Sequence, residues 1–240
     1  MPPRIAILVV AYNAEATLKQ VLDRIPASFV PQITAVFVCD DASTDSTYEV
    51  IRNYQKSSGL PIEIVKHAEN LGYGGNQKFG FEWAIRNNMD HVVLLHGDGQ
   101  YAPEFLAQMV GPLLADTADV VFGSRMLTRG NALKGGMPMY KFVGNKVLTG
   151  LQNWLARVNL SEWHSGYRAY RVSSLASVDL ERNSNAFDFD TQIILQMIGT
   201  KQRIREIPIP TFYGDEISRV NGFIYGLQIL MHTIRYRLNK

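Results

Sequence analysis

Val92-Val93-Leu94-Leu95-His96-Gly97-Asp98-Gly99-Gln100 runs from a short apolar segment into a polar turn. Four apolar residues stop abruptly at a polar, glycine-rich turn, the pattern of a strand covered on both faces that delivers side chains at its carboxyl end. The same rhythm repeats on either side. Ile5–Ala11 is a continuous apolar run followed by Tyr12-Asn13-Ala14-Glu15. Ile33–Cys39 is followed by Asp40-Asp41-Ala42-Ser43-Thr44-Asp45, and Ile62–Val65 by a turn that runs from His67 to Asn76 through Gly72-Tyr73-Gly74-Gly75. Val120–Phe122 leads into Gly123-Ser124-Arg125. Helical spacing fills the gaps: Leu18, Val21, Leu22 and Ile25 before Pro26; Val50, Ile51 and Tyr54; Phe79, Trp83 and Ile85; then Leu106, Met109, Val110 and Leu113 behind Pro103. Strands alternating with helices predict right-handed crossovers and a mostly parallel central sheet with helices on both faces, an α/β fold.

The pattern loosens after Gly123. Residues 124–140 read as a long loop, with a helix from about Tyr140 to Val158. A helical stretch near Asp188–Ile198 and a strand Ile204–Ile207 follow. Val220, Phe223, Ile224, Leu227, Leu230, Met231, Ile234 and Leu238 form one helical stripe, expected to pack on the domain or in a dimer, or else to lie on a membrane surface. No repeat or low-complexity linker divides the chain. A single domain over residues 1–240 is expected, with two halves, 1–123 and 124–240, the second ending in the amphipathic helix.

Composition narrows the class. The chain has 240 residues, 46% of them hydrophobic and 19% charged, which suits one folded domain with a sizeable core. Its one cysteine, Cys39, lies in an apolar run and excludes an internal disulfide framework. The longest apolar runs are far too short to span a bilayer. Met1-Pro2-Pro3-Arg4 lacks the organisation of a signal peptide, so a cytoplasmic protein is expected, in peripheral contact with a membrane or with a membrane partner. Charge is uneven: residues 1–120 carry 8 Lys/Arg and 14 Asp/Glu, residues 121–240 carry 16 and 8. A basic second half suits an anionic partner such as a phosphate-bearing acceptor, or is simply a solvated basic surface.

In open α/β sheets ligands bind beyond the carboxyl ends of the strands. His96 and Asp98, two residues apart at such an end, fit a divalent cation that bridges to a diphosphate, with Asp98 the harder ligand. Asp40 and Asp41 read either as turn and cap residues or as acceptors of hydrogen bonds from a ribose or base. The glycines at 72, 74 and 75 either let backbone approach a ligand or start a helix; their spacing is not a dinucleotide fingerprint.

Taken in order, Ala-Tyr-Asn, Asp-Asp-Ala-Ser-x-Asp, Asn-Leu-Gly-Tyr-Gly-Gly-Asn, His-Gly-Asp-Gly-Gln-Tyr-x-Pro and Gly-Ser-Arg resemble the family 2 glycosyltransferases. Within them the chain is most similar to the dolichol-phosphate mannose synthase and polyprenyl-phosphate glycosyltransferase branch. The resemblance covers residues 4–125 well and extends more loosely to 218. It implies a GT-A-type nucleotide-diphospho-sugar transferase fold. It also implies that Ala11, Tyr12 and Asn13 line the base pocket, that Asp40 and Asp41 hold the nucleoside, and that Gly97, Asp98 and Gln100 approach the diphosphate and sugar. Ala14 stands where the family commonly has Glu, and Glu15, among the implied nucleotide-sugar contacts, either takes that place or leaves it empty. His96 stands where the family has the first Asp of Asp-x-Asp, so the implied metal ligands are His96 and Asp98 and the implied cofactor is Mg2+ or Mn2+.

Arg125 and Lys141 match the cations that meet the acceptor phosphate and join Asp98 as implied catalytic residues. Ser165-Gly166-Tyr167-Arg168 resembles the family's Ser-Gly-Phe segment and Ser218-Arg219 its Ser-Lys, adding Arg168 and Arg219 on the acceptor side. Tyr213-Gly214-Asp215-Glu216 is acidic where the mannose synthases are basic, which separates this chain from their specificity. The implied reaction is an inverting transfer of one hexose from a UDP- or GDP-sugar to a polyprenyl phosphate at the cytoplasmic membrane face, in the making of cell-envelope glycans. The Gln-x-x-Arg-Trp motif of processive synthases is missing, which favours a single transfer. A glycan or small-molecule hydroxyl as acceptor, and a non-catalytic nucleotide-sugar-binding module, are the alternatives; a homo-oligomer is compatible with all three, and no nucleic-acid partner is implied.

Overall fold

The computed structural model describes residues 1–211 and 222–239. Seven strands form one sheet: β1 Ile5–Ala11, β2 Ile33–Asp40, β3 Ile62–Lys66, β4 His91–His96, β5 Val120–Ser124, β6 Arg168–Arg171 and β7 Ile204–Pro208, in the order β3-β2-β1-β4-β6-β5-β7. Every pairing is parallel except those of β6, which runs antiparallel to both β4 and β5. The helices are α1 Leu18–Asp23, α2 Thr47–Ser57, α3 Gly72–Arg86, α4 Leu106–Leu114, α5 Asn131–Lys134, α6 Met139–Ala156, α7 Val172–Ala176, α8 Phe189–Gly199 and α9 Gly222–Leu238.

All of β1 is buried, and its alternation divides the core into two layers. Ile5, Ile7 and Val9 face Leu18 and Leu22 of α1, Ile51 of α2 and Met109 of α4. Ala6, Leu8 and Val10 face Phe81 of α3, Leu175 of α7 and Ile193 of α8. Helices therefore cover both faces, and the continuous apolar strands follow from that burial.

One expectation is corrected. Arg168-Ala-Tyr-Arg171 is a central strand, wedged between β4 and β5, where the sequence reading placed an acceptor-binding arginine. Arg168 is 1% exposed, pairs with Asp190 at 3.1 Å and donates to the Ser165 carbonyl at 3.0 Å, with its guanidinium over the Phe122 ring. A buried arginine is tolerable only with such partners, and they leave it in the core rather than at the acceptor face. Of the placements expected for the C-terminal stripe, the exposure excludes packing on the domain. Helix α9 forms as expected, but it buries Gly226, Ile229 and Thr233, whereas Phe223, Ile224, Leu227, Met231, Ile234 and Leu238 stand exposed. Val220 lies outside the described residues.

Candidate active site at the carboxyl edge of the sheet

Parallel register aligns the ends of three central strands. Ala11 pairs with Asp40, and Val10 pairs with both Cys39 and His96. The turns after β1, β2 and β4 therefore open on one crevice, with Tyr12 at its half-exposed rim, Asp40 inside and Asp98 exposed.

Several residues read as ligand contacts tie the turns to one another. Asn13 donates its N–H to Ser43 Oγ at 2.9 Å, and its side-chain oxygen accepts the Thr44 N–H at 2.9 Å. Glu15 accepts the Ser46 N–H at 2.9 Å, beside the amino end of α2, where the helix dipole favours a carboxylate. Asp41 accepts the N–H groups of Leu71 at 2.7 Å and Gly72 at 3.1 Å, so it caps the start of α3. Burial pushes its carboxyl up, against the pull of those two N–H groups. Asp40 differs: Oδ1 accepts the Ser43 N–H at 2.9 Å, but buried Oδ2 has no hydrogen-bond partner among the described residues. An orphaned buried carboxylate oxygen is costly, and one at a ligand crevice is a ready acceptor for a ligand N–H or O–H.

The glycine-rich turn serves packing. Gly74 donates to the Asn185 carbonyl at 2.7 Å, and a Cβ on it would lie 2.4 Å from the Ser184 carbonyl oxygen and 2.6 Å from Phe189 Cβ. Its glycines let the start of α3 lie against residues 184–189, which answers the choice left open above in favour of the helix start. Gly74→Ala is expected to destabilise the fold by about 1–3 kcal/mol through overpacking, read as a lower urea midpoint at unchanged slope.

His96 and Asp98 point into different surroundings. His96 is buried among the rings of Tyr73 and Tyr101, and its Nε2 has no hydrogen-bond partner among the described residues. Gly166 seals that edge: a Cβ there would sit 2.8 Å from Nε2, so only glycine fits. The Gly166 N–H donates to Tyr101 Oη at 2.7 Å, which fixes the contact. Burial pulls the imidazole toward its neutral form, below its ordinary value, although Asp98 and Asp190 act the other way. Beneath it lies a network that the sequence reading missed: Tyr73 donates to Asp190 at 2.9 Å, and Asp190 pairs with Arg168. Nothing in the local sequence marks Asp190, which meets Tyr73 across 117 positions.

Asp98 is exposed, and Oδ1 accepts the Gln100 N–H at 3.0 Å. Among the described residues no three His, Cys, Asp or Glu side chains gather as a metal cluster. The described residues therefore form no metal site of their own at this edge: Asp98 stands open to solvent and His96 is packed beneath Gly166.

On the other side of the crevice, Arg125 forms a buried ion pair with Glu162. Glu162 accepts the Arg125 N–H at 2.7 Å, its Nε at 2.9 Å and its Nη2, and also Asn145 Nδ2 of α6 at 2.8 Å. Burial alone would raise this carboxyl, but Arg125 and these hydrogen bonds hold it below the usual glutamate value. Glu162 is thus a structural counterion and a poor general base. Arg125 also donates to the His164 carbonyl at 3.1 Å.

Arg125 and Arg129, with Met126, Leu127, Phe142 and Lys146, line a cavity of about 330 Å³. Lys141 is half-buried on the same helix, α6; Arg219 lies outside the described residues. The structure thus brings together Ala11, Tyr12, Asp40, Gly97, Asp98 and Gln100 at the crevice and Arg125 beside its basic cavity, and it leaves Arg168 in the core.

His164, adjacent to this cluster, contacts Tyr225 of α9 at 3.2 Å and has a buried Nε2 without a hydrogen-bond partner among the described residues. Burial lowers its imidazole to about 4. Because the folded value lies below the unfolded one of about 6.5, protonation favours the unfolded chain. Stability is expected to be full above pH 6.5 and to fall as pH drops from about 6.5 to 4, a slope that His164→Gln should flatten in urea titrations across pH.

This sheet, with helices on both faces and a polar crevice at its carboxyl edge, is the GT-A-type nucleotide-diphospho-sugar transferase fold. A crystal structure of glucosyl-3-phosphoglycerate synthase from Mycobacterium tuberculosis, in complex with Mn2+, uridine diphosphate and phosphoglyceric acid, superposes with a TM-score of 0.71 at 18% identity, over 98% of this chain and 78% of that one. The family model for glycosyl transferase family 2 matches residues 6–178, and the chain belongs to that family. The UDP-N-acetylglucosamine–dolichyl-phosphate N-acetylglucosaminyltransferase of Methanococcus voltae is 26% identical over 98% of this chain and 97% of its own length. The undecaprenyl-phosphate mannosyltransferase of Micrococcus luteus is 29% identical over 96% and 93%. The resemblance carried by the five motifs is borne out.

Proposed function

We propose that the chain is an inverting glycosyltransferase that moves one hexose from a UDP- or GDP-sugar to a polyprenyl phosphate, at the cytoplasmic face of a membrane. Residues 1–123 take the donor and residues 124–240 the acceptor, within one domain. The observation that carries this reading is the state of Glu162. A hydroxyl acceptor must lose a proton as it attacks, and a free carboxylate is the usual base. Among the described residues, Glu162, the carboxylate bonded to the cavity's Arg125, is consumed by Arg125 and Asn145. A phosphate acceptor is already anionic and needs cations and an apolar path, which Arg125, Arg129, Lys146, Leu127 and Phe142 offer. The named relatives act on lipid phosphates, which supports the same acceptor class.

In this reading Tyr12 packs on the base, and Asp40 Oδ2 accepts a hydrogen bond from base or ribose. Asp98 would hold a divalent cation, Mg2+ or Mn2+, which would supply positive charge against the leaving diphosphate. Gln100, fixed through its N–H to Asp98, approaches the diphosphate or the sugar. Arg125 and Lys141 orient the acceptor phosphate in line with the anomeric carbon. The test is mass spectrometry of products after incubation with sugar nucleotides and either a short polyprenyl phosphate or a set of sugar hydroxyl acceptors. A glycosylated lipid phosphate supports the reading. Glycosylated hydroxyl products alone move the acceptor class, and binding without any product leaves a nucleotide-sugar-binding module.

A further inference from the structure

Helix α6 carries a stripe of exposed apolar side chains. Tyr140 is 74% exposed and Trp154 is 76%, with Val143, Val147 and Leu151 between them at helical spacing. Helix α9 packs against α6 and adds a second stripe, in which Phe223 is 77% exposed and Leu227, Met231, Ile234 and Leu238 follow. Exposed apolar side chains scattered singly need no explanation; two whole stripes on adjoining helices do. Neither helix contains a single Asp or Glu, whereas α6 carries Lys141 and Lys146, and α9 carries Arg235 and Arg237. Phe142 and Lys146 of α6 also line the cavity beside Arg125, so the helix that carries the stripe also walls that cavity.

We propose that the paired exposed faces of α6 and α9 form a docking surface that seats the protein in the headgroup layer of an anionic bilayer, with the Arg125–Lys146 cavity opening at the membrane plane. The inference deepens the proposed function, on which it rests for its purpose, by naming the surface on which a lipid acceptor is met. Its chemistry is that of an interfacial helix: apolar residues that enter the acyl boundary, aromatic rings at headgroup depth, and cations facing anionic lipid. A second copy of the chain fits less well. An isologous contact would set the lysines and arginines of one copy against those of the other, with no carboxylate on either helix to pair them. Among the described residues no helix is long and apolar enough to cross a membrane, so these helices lie in the interface.

The test is sedimentation of the whole chain with vesicles of phosphatidylcholine, with and without phosphatidylglycerol. Val147→Glu and Leu227→Glu serve as variants, since both side chains are more than half exposed and neither touches the crevice described above. The expected result is binding that needs phosphatidylglycerol, weakens with salt, and falls by about tenfold or more in each variant at an unchanged melting temperature. Wild-type protein that stays in the supernatant, variants that bind as wild type does, or a wild-type dimer that the variants split into monomers without any vesicle binding would each overturn the proposal. Transfer to a short, water-soluble polyprenyl phosphate without vesicles reads the proposed function separately. Its absence beside intact vesicle binding sinks the acceptor assignment alone, and its presence without vesicle binding sinks the docking surface alone.

Discussion

Asp98→Ala is expected to lower sugar transfer by about a thousandfold or more while leaving the fold intact. Asp98 lies at the carboxyl end of the sheet, exposed, and its side chain accepts one hydrogen bond, from the Gln100 N–H. Removing it costs the fold little, so the melting temperature should stay within about 2 °C. In the proposed reaction, however, it is the carboxylate assigned to the cation and the leaving diphosphate. Asp98→Asn keeps the acceptor for Gln100 and loses the charge, so its loss of rate should approach that of alanine. Nucleoside-diphosphate release under saturating Mn2+ is the measurement, and a variant near wild-type rate would disconnect this residue from the chemistry.

Glu162→Ala is expected to produce the largest loss of stability, about 3–5 kcal/mol. Glu162 is buried and accepts hydrogen bonds from Arg125 and Asn145. Removing it leaves the Arg125 guanidinium, only 12% exposed, without its countercharge. The asymmetry of buried pairs supplies a control. Arg125→Met combined with Glu162→Leu removes both charges and should cost much less than the single change. Urea denaturation of the two variants decides the matter, and equal midpoints for Glu162→Ala and wild type would contradict the buried-pair account.

The strands whose apolar runs are continuous were legible in the sequence because burial on both faces leaves no other pattern. Ile5–Ala11 and the run that ends at His96 are the clearest cases. Strand β6 was not legible: two of its four residues are arginines, and their burial depends on partners distant in sequence, such as Asp190 for Arg168. Helical period correctly announced α9 but could not say which side faces the protein. Its apolar stripe faces out because the packed side is made of the small or short residues Gly226 and Thr233 with Ile229.

At the site, spacing brought the right turns together without separating ligand-facing groups from scaffold. Asp40 and Asp41 are neighbours of the same type. Asp41 spends both oxygens on the start of α3, and Asp40 keeps one oxygen unpaired at the crevice. Likewise His96 and Asp98 read as a ligand pair two residues apart, yet one is sealed beneath Gly166 and the other is open. Asn13 and Glu15 lock adjacent turns, a role that looks the same in sequence as contact with a base.

The central claim is lipid-dependent transfer from a sugar nucleotide through Asp98. Its most direct test is nucleoside-diphosphate release across a panel of UDP- and GDP-sugars, with Mn2+ or Mg2+, with and without a short polyprenyl phosphate. Release is expected from one donor class, only when the lipid phosphate is added, and is expected to disappear in Asp98→Ala. Release that ignores the lipid phosphate and rises instead with sugar hydroxyl acceptors, or that persists in Asp98→Ala, would contradict it.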